Sequence, residues 1–247
     1  MSDTKSKLKT RKPGEFRLPL IKTLADVEAL SHLSKEEKAV AVENFTRIPP
    51  SDGYYMMGND PDLQSFWRLM EMEITSLLFP DHQGVPFGPM NLITLEVARH
   101  SGNDYLLGFM QHVTANTIGD FDKPYDNYQK LGMLENADSA MWTDEERMII
   151  KFTRACLESK MTDELFEQAR AAWGEKKLLR YIAWVAFVQQ WGTLQSALDM
   201  KFLPETMSFP RGIMGPEAVG AAVSKLKDTK DKVREFWNTL QKPDNRM

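Results

Sequence analysis

Apolar residues recur at steps of three and four along most of the chain, which is the spacing of an amphipathic α-helix. The stretch after Asp60 is typical, with apolar residues at Leu63, Phe66, Trp67, Met70, Ile74, Leu77 and Leu78. No stretch alternates apolar and polar residues over the length of a strand, and 92–97, the nearest candidate, fits a helix better. The sequence therefore predicts an all-α fold.

Several helix starts carry residues that can cap free backbone N–H groups. Ser34-Lys-Glu-Glu37 and Thr143-Asp-Glu-Glu146 have the spacing of a capping box, and Pro61 occupies a first helical position. A hinge is predicted at 101–103 and a loop at 53–58. The predicted helices cover approximately 24–33, 34–48, 60–79, 91–100, 104–118, 125–134, 143–157, 162–173 and 176–200.

Composition divides the chain into three parts. Residues 1–16 are predicted to be a basic, disordered arm, and 17–210 a helical domain in which 176–200 forms a long apolar central helix. Residues 211–247 form an extension whose amphipathic helix, about 222–242, repeats apolar residues every three or four positions. The sequence leaves open whether that helix packs on its own domain, on a partner protein or on a second copy.

The net charge and the residue counts exclude several classes of function. The net charge of −4 argues against nucleic acid as the main partner. The single cysteine, Cys156, excludes an intrachain disulfide, a CxxC redox pair and a cysteine-based zinc site. No apolar run is long enough to cross a bilayer and the N-terminus lacks a signal-peptide core, so a cytoplasmic protein without membrane contact is predicted.

The run from Asn91 to Tyr105, NLITLEVARHSGNDY, has the helix, small-residue elbow and second helix start that are found in one known family. The later helix order, from Thr143 to the apolar helix with Trp191, fits the same family. The chain thus resembles the carboxymuconolactone decarboxylase family over about 60–200. The resemblance implies the multi-helix bundle of alkylhydroperoxidase D (AhpD-like), a small-molecule substrate, no cofactor, and assembly as a trimer or hexamer.

The chain departs from this family at the reactive positions. The family's glutamate corresponds to Asn91, its two cysteines to Asn103 and Leu106, and its histidine to Met110, with His112 two residues later. No thiolate is therefore available at the elbow, which excludes the peroxidase chemistry of the thiol-dependent branch.

A polar and aromatic face is predicted on the helix after the hinge. Tyr105, Phe109, His112 and Asn116 follow at helical steps and share one face. If His112 replaces the family's histidine, it acts as a general acid or base, with Tyr105 beside it at a shared hollow. The alternative is a core helix in which a backbone carbonyl satisfies the His112 ring.

The preceding helix offers further candidates. Glu96 and His100 lie one turn apart and are predicted catalytic residues as a carboxylate–imidazole dyad, whereas the alternative is a surface ion pair of Glu96 with Arg99. Two such ligands are too few for a metal site. Asn91 can stabilise an enolate or carboxylate oxygen. The predicted substrate-binding residues are Asn91, Asn103, Phe109, Asn116 and Trp184.

Two functions follow from these residues. The leading hypothesis is a cofactor-free enzyme that performs proton transfer on a small organic acid, lactone or polyketide-type intermediate, by decarboxylation, isomerisation or elimination. The alternative is a catalytically silent ligand-binding or assembly protein that has kept the fold and lost the reactive residues.

Overall fold

The computed structural model describes residues 16–48, 52–78, 87–115 and 124–200. Within these ranges the protein is entirely helical and contains no strand, which confirms the predicted all-α class. The helices are α1 Leu24–Ala29, α2 Lys35–Arg47, α3 Asp52–Met57, α4 Pro61–Leu78, α5 Phe87–His100, α6 Asp104–Ala115, α7 Pro124–Leu131, α8 Asp144–Leu157 and α9 Asp163–Ala197.

Local capping contacts begin the helices where the sequence predicts them. The predicted capping boxes at Ser34 and Thr143 are both present, so each side chain accepts from a first-turn backbone N–H. Asp60 accepts from the N–H of Leu63 at 2.9 Å, directly ahead of Pro61 in α4. These starts are confirmed because capping depends on side chains within four residues of the helix end.

Several predicted boundaries are wrong. Residues 53–58, predicted as a loop, lie mostly in the short helix α3, whose Gly53 fits closely against Trp191 of α9. α1 ends at Ala29 rather than at 33, and α5 begins at Phe87 rather than at 91. α3 has no strong local signal, and its buried residues form a helix because they pack on neighbouring helices.

α9 consists of two helical stretches that meet at Gly174. This glycine has φ 71° and ψ 159°, a backbone conformation that is essentially restricted to glycine. The break falls between the two helices that the sequence predicts here. The second stretch packs against α5 and α8, although the apolar Leu179 on it is exposed, so this helix is not buried around its whole circumference.

The main core lies around α5, which packs against α6, α8 and α9. Most α5 side chains from Leu92 to Ala98 are buried, since helices cover this element on several sides. α5 and α6 join at Gly102, whose φ of 62° lets the chain leave one helix and begin the next. The predicted hinge is therefore confirmed.

Residues 1–15 of the predicted arm 1–16 and the predicted C-terminal helix lie outside the described residues, whereas Phe16 packs against the helical domain. No helix in the described ranges is long and apolar enough to span a membrane.

Candidate active site

The side chain of Asn103, at the hinge, forms hydrogen bonds with α6 and α9. Its Oδ1 accepts from the N–H of Leu106 at 2.9 Å and so caps α6. Its Nδ2 donates to Gln195 Oε1 at 2.9 Å and to the carbonyl of Gly192 at 3.2 Å, both on α9. Asn103 is buried and joins the two helices, which is a positioning role rather than contact with a substrate. Leu106 and Met110 lie in the main core.

Tyr105 is buried and faces α3. It packs with Met56 and Met200, and its phenol oxygen accepts from the backbone N–H of Gly53. Burial, together with the negative charge of Asp52, raises the pKa of the Tyr105 phenol well above its ordinary value. The phenol therefore stays protonated at neutral pH. Because the raised pKa makes it a weaker acid than an ordinary phenol, it gives up its proton only to a strong base such as a carbanion.

Asp52 supplies a buried carboxylate at the start of α3. The ammonium of Lys22 lies 3.3 Å from Asp52 Oδ1, forming an ion pair, but Oδ1 has no hydrogen-bond partner within the described part of the chain. The N-terminal segment covers this region, because Phe16 and Leu20 pack against the cluster that contains Tyr105. A protonated phenol and a carboxylate thus lie together under an apolar cover.

Only part of the predicted aromatic face is described. Phe109 packs against the main core around α5, whereas Tyr105 packs against α3, so these two rings contact different clusters. The side chain of His112 and the whole of Asn116 lie outside the described residues. Their predicted roles therefore stay predictions.

The predicted Glu96–His100 dyad is not formed. Glu96 is 0% exposed, and its carboxylate accepts from two arginines, at 2.7 Å from Arg99 Nη2 and 2.7 Å from Arg154 Nε. His100 is exposed at the end of α5. The alternative of a pair between Glu96 and Arg99 is therefore present, but it is buried and includes Arg154 of α8.

Asn91 and Trp184 are both buried in the helical core. The Asn91 carbonyl accepts from the Thr114 hydroxyl at 3.4 Å, which links α5 to α6. The Trp184 indole donates to the Met90 carbonyl at 3.2 Å and to Thr94 Oγ1 at 3.0 Å. The Trp184 N–H thus forms hydrogen bonds that link α9 to α5, so it is not available to donate to a substrate.

A polar cluster between α3 and α4 was not predicted from the sequence. Tyr54 donates to Glu71 Oε2, and Arg68 Nη1 donates to the same oxygen at 2.6 Å. Burial and the negative charge of Glu71 raise the pKa of the Tyr54 phenol well above its ordinary value. The three-residue spacing of Arg68 and Glu71 was a detectable signal, but nothing local linked either of them to Tyr54.

A small cavity of about 20 Å³ lies between α2, α3 and α4. It has room for about one water molecule and is too small for an organic substrate. Its lining includes Tyr54 and Gln64, whose Nε2 donates to the Tyr54 carbonyl at 2.7 Å. No group of three metal-ligating side chains occurs among the residues that the structure describes.

No protein-family model and no curated protein matches the chain. Among solved structures, the chain is similar to a cysteine-to-alanine variant of the debrominase Bmp8 in complex with 2,3,4-tribromopyrrole. The TM-score is 0.50 at 15% sequence identity, and the match covers 84% of this chain and 100% of that one. At this identity the likeness concerns the fold, and it supports the AhpD-like all-α architecture that the sequence predicts.

Proposed function

We propose that the protein is a cofactor-independent enzyme that transfers protons on a small organic acid, lactone or polyketide-type intermediate. The observation that carries this proposal is the buried, protonated phenol of Tyr105 beside the carboxylate of Asp52. Decarboxylation, isomerisation and elimination of such compounds all pass through a carbanion- or enolate-like intermediate. Each of these reactions needs a positioned proton donor or acceptor.

The two groups take complementary roles in this proposal. In an isomerisation the Asp52 carboxylate accepts the proton from the carbon next to the substrate's carbonyl, and Tyr105 returns a proton to the resulting carbanion. In an elimination Tyr105 protonates the leaving group instead. Transfer of the proton from Asp52 then restores the Tyr105 phenol. In a decarboxylation the Tyr105 step alone is needed, since loss of CO₂ leaves the carbanion directly. His112 is the predicted second acid or base on the same helix.

Deuterium exchange tests the isomerisation and elimination forms of the proposal directly, and deuterium in the decarboxylated product tests the decarboxylation. The full chain is incubated in D₂O with a panel of carboxylic acids and lactones, and NMR follows loss of the C–H signal beside the carbonyl. Tyr105→Phe is expected to slow this exchange by about 100-fold, within the range of general acid–base catalysis. His112→Gln tests the second predicted group in the same assay.

Tyr128→Phe is the matched control, because Tyr128 is an exposed phenol on α7. Its exchange rate is expected to equal that of the wild type. A Tyr105→Phe rate within twofold of the wild type contradicts the proposal.

The second candidate is a ligand-binding or assembly protein without catalysis. It is supported by Asn103, Leu106 and Met110, which hold or fill the fold at positions where the related family carries reactive residues. A thermal-shift screen with aromatic acids and lactones separates the two candidates. Ligands that stabilise the protein and never exchange their hydrogens favour the second one.

The proposal also includes a cytoplasmic location and self-association as a trimer or hexamer. Light scattering on the full chain and on a chain lacking 222–247 tests the subunit number and the contribution of the predicted C-terminal helix. A monomer in both cases contradicts this part of the proposal.

A further inference from the structure

Two hydrogen-bond donors from different helices converge on one oxygen of Glu71. Tyr54 on α3 donates its hydroxyl to Glu71 Oε2, and Arg68 on α4 donates Nη1 to the same atom at 2.6 Å. The Arg68 guanidinium lies 5.8 Å from the centre of the Tyr54 ring. A phenol and a guanidinium held in this way bind carboxylates strongly, because both hydrogen bonds are charge-assisted.

Aromatic rings extend from this pair of donors into the protein. The Trp191 ring centroid lies 5.5 Å from that of Tyr54 and 5.1 Å from that of Trp67. The indole Nε1 of Trp67 is buried and has no hydrogen-bond partner in the described part of the chain. A buried indole N–H usually donates a hydrogen bond. The Trp67 N–H has no acceptor in the described part of the chain and is therefore able to donate to a bound molecule.

The charged end of the cluster reaches solvent. The side chains of Arg68 and Glu71 are 21% and 26% exposed, whereas Tyr54 is buried. Glu71 therefore differs from Glu96, which is 0% exposed and accepts hydrogen bonds on both oxygens. The Glu71 carboxylate thus borders water, whereas that of Glu96 does not.

We propose that Tyr54, Arg68 and the Trp67–Trp191 pair form a binding site for a small aromatic carboxylate, and that Glu71 occupies its anion position in this structure. The ligand's carboxylate replaces that of Glu71 on the two donors, and its ring contacts the indoles. A few placed polar groups beside aromatic walls are the usual composition of small-molecule sites. This inference goes beyond the proposed function, since it concerns binding and holds whether or not the ligand is converted.

The proposal predicts that removing the charge of Glu71 improves binding. Benzoate is titrated by isothermal calorimetry into the wild type, Glu71→Gln, and the double variant Glu71→Gln/Arg68→Gln. Glu71→Gln is expected to bind benzoate about tenfold more tightly than the wild type, because the internal competitor has lost its charge. The double variant is expected to lose about tenfold or more relative to Glu71→Gln, in line with the strength of a charge-assisted hydrogen bond.

Neutral and aliphatic probes separate the parts of the site. Benzamide has the shape of benzoate without its charge, and acetate has the charge without the ring. Both are expected to bind Glu71→Gln at least about tenfold more weakly than benzoate, because each lacks one of the two contacts. Tyr54→Phe, made in the Glu71→Gln background, is expected to weaken benzoate binding as well.

Lys130→Gln is the matched control, since it breaks another part-buried ion pair, 2.6 Å from Glu146, whose cation lies 5.6 Å from the centre of the Trp142 ring. It is expected to leave benzoate affinity unchanged, and circular dichroism checks that every variant is folded. A misfolded protein cannot produce the tighter binding expected of Glu71→Gln. Equal benzoate affinity in Glu71→Gln and the double variant overturns the proposal, as does no binding by Glu71→Gln at millimolar benzoate.

Discussion

Glu96 on α5 and Arg154 on α8 are 58 residues apart in the chain, and Arg154 Nε donates to Glu96 Oε1 at 2.7 Å. The same arginine also donates to the carbonyls of Leu134 and Glu135, in the segment between α7 and α8. Hydrogen bonding to Glu96 raises the pKa of Arg99, which pairs with the same carboxylate. One buried carboxylate thereby joins two core helices and a connecting segment.

Glu96→Gln is expected to destabilise the protein by about 3 kcal/mol, because it leaves two part-buried arginines without their shared counter-ion. Urea unfolding monitored by circular dichroism measures this change. Glu135→Gln is the matched control, since Glu135 pairs with the same Arg99 but is 78% exposed. An exposed pair contributes little to stability, so equal losses from the two variants contradict the role given to Glu96.

Alkaline pH is expected to destabilise the protein through Tyr105, whose pKa burial and Asp52 raise above the ordinary 10.0. Above pH 10 the unfolded chain has lost this proton while the folded protein keeps it. Stability is therefore complete below pH 10 and falls as pH rises, by about 1.4 kcal/mol per pH unit for one such group. Urea unfolding between pH 8 and pH 11 measures the slope.

Tyr105→Phe is expected to make that alkaline slope shallower, and Tyr54→Phe to reduce it further, because the pKa of the buried Tyr54 is also raised. Slopes that are identical in the wild type and in both variants show that other groups control the alkaline loss.

Gly174→Ala is expected to cost about 1–3 kcal/mol, because its φ of 71° and ψ of 159° disfavour any side chain. Differential scanning calorimetry measures the shift in Tm. Gly192→Ala on the same helix is the control. A Cβ there meets Ser101 Oγ at an ordinary 3.6 Å, and alanine favours the helix, so stability is expected to hold or rise. Equal losses at the two positions contradict the assigned strain.

Cys156 is expected to react slowly with iodoacetamide, because burial raises the pKa of its thiol to about 11. At pH 8 the thiolate fraction is then roughly 0.1%, about a hundredfold below that of a thiol with the ordinary value of 9.0. Mass spectrometry of the folded protein at pH 8 gives the alkylation rate, and denatured protein is the reference. A folded rate equal to the denatured one contradicts the burial of this thiol.

Local features of the fold were predictable and the partners of its polar groups were not. The helix starts at Ser34 and Thr143 and the turn at Gly102 depend on contacts within a few residues, so the sequence predicts them well. Helix α3 was missed, because it is short and its buried residues pack on distant parts of the chain.

The candidate site illustrates the same division. The sequence singles out Tyr105 as a candidate catalytic phenol, but it gives no role to Asp52, the carboxylate beside it, which directly precedes the predicted loop 53–58. Glu96 was paired with His100 by helical spacing, whereas Arg154, remote in sequence, takes its carboxylate in the folded protein. The spacing of residues along one helix predicts contacts within that helix. It contains no information about side chains of other helices that pack against it.

The sequence by itself determined the all-α class, the order of most helices and the hinge between α5 and α6. Periodicity, capping and a left-handed glycine are properties of short segments, and they act in the same way whatever surrounds them. Only the tertiary structure decided which carboxylate lies beside each buried phenol and which carboxylate pairs with each arginine. These contacts depend on how helices that are far apart in the chain pack together. A buried charged group forms its ion pair or hydrogen bonds with the groups that this packing places within hydrogen-bond distance.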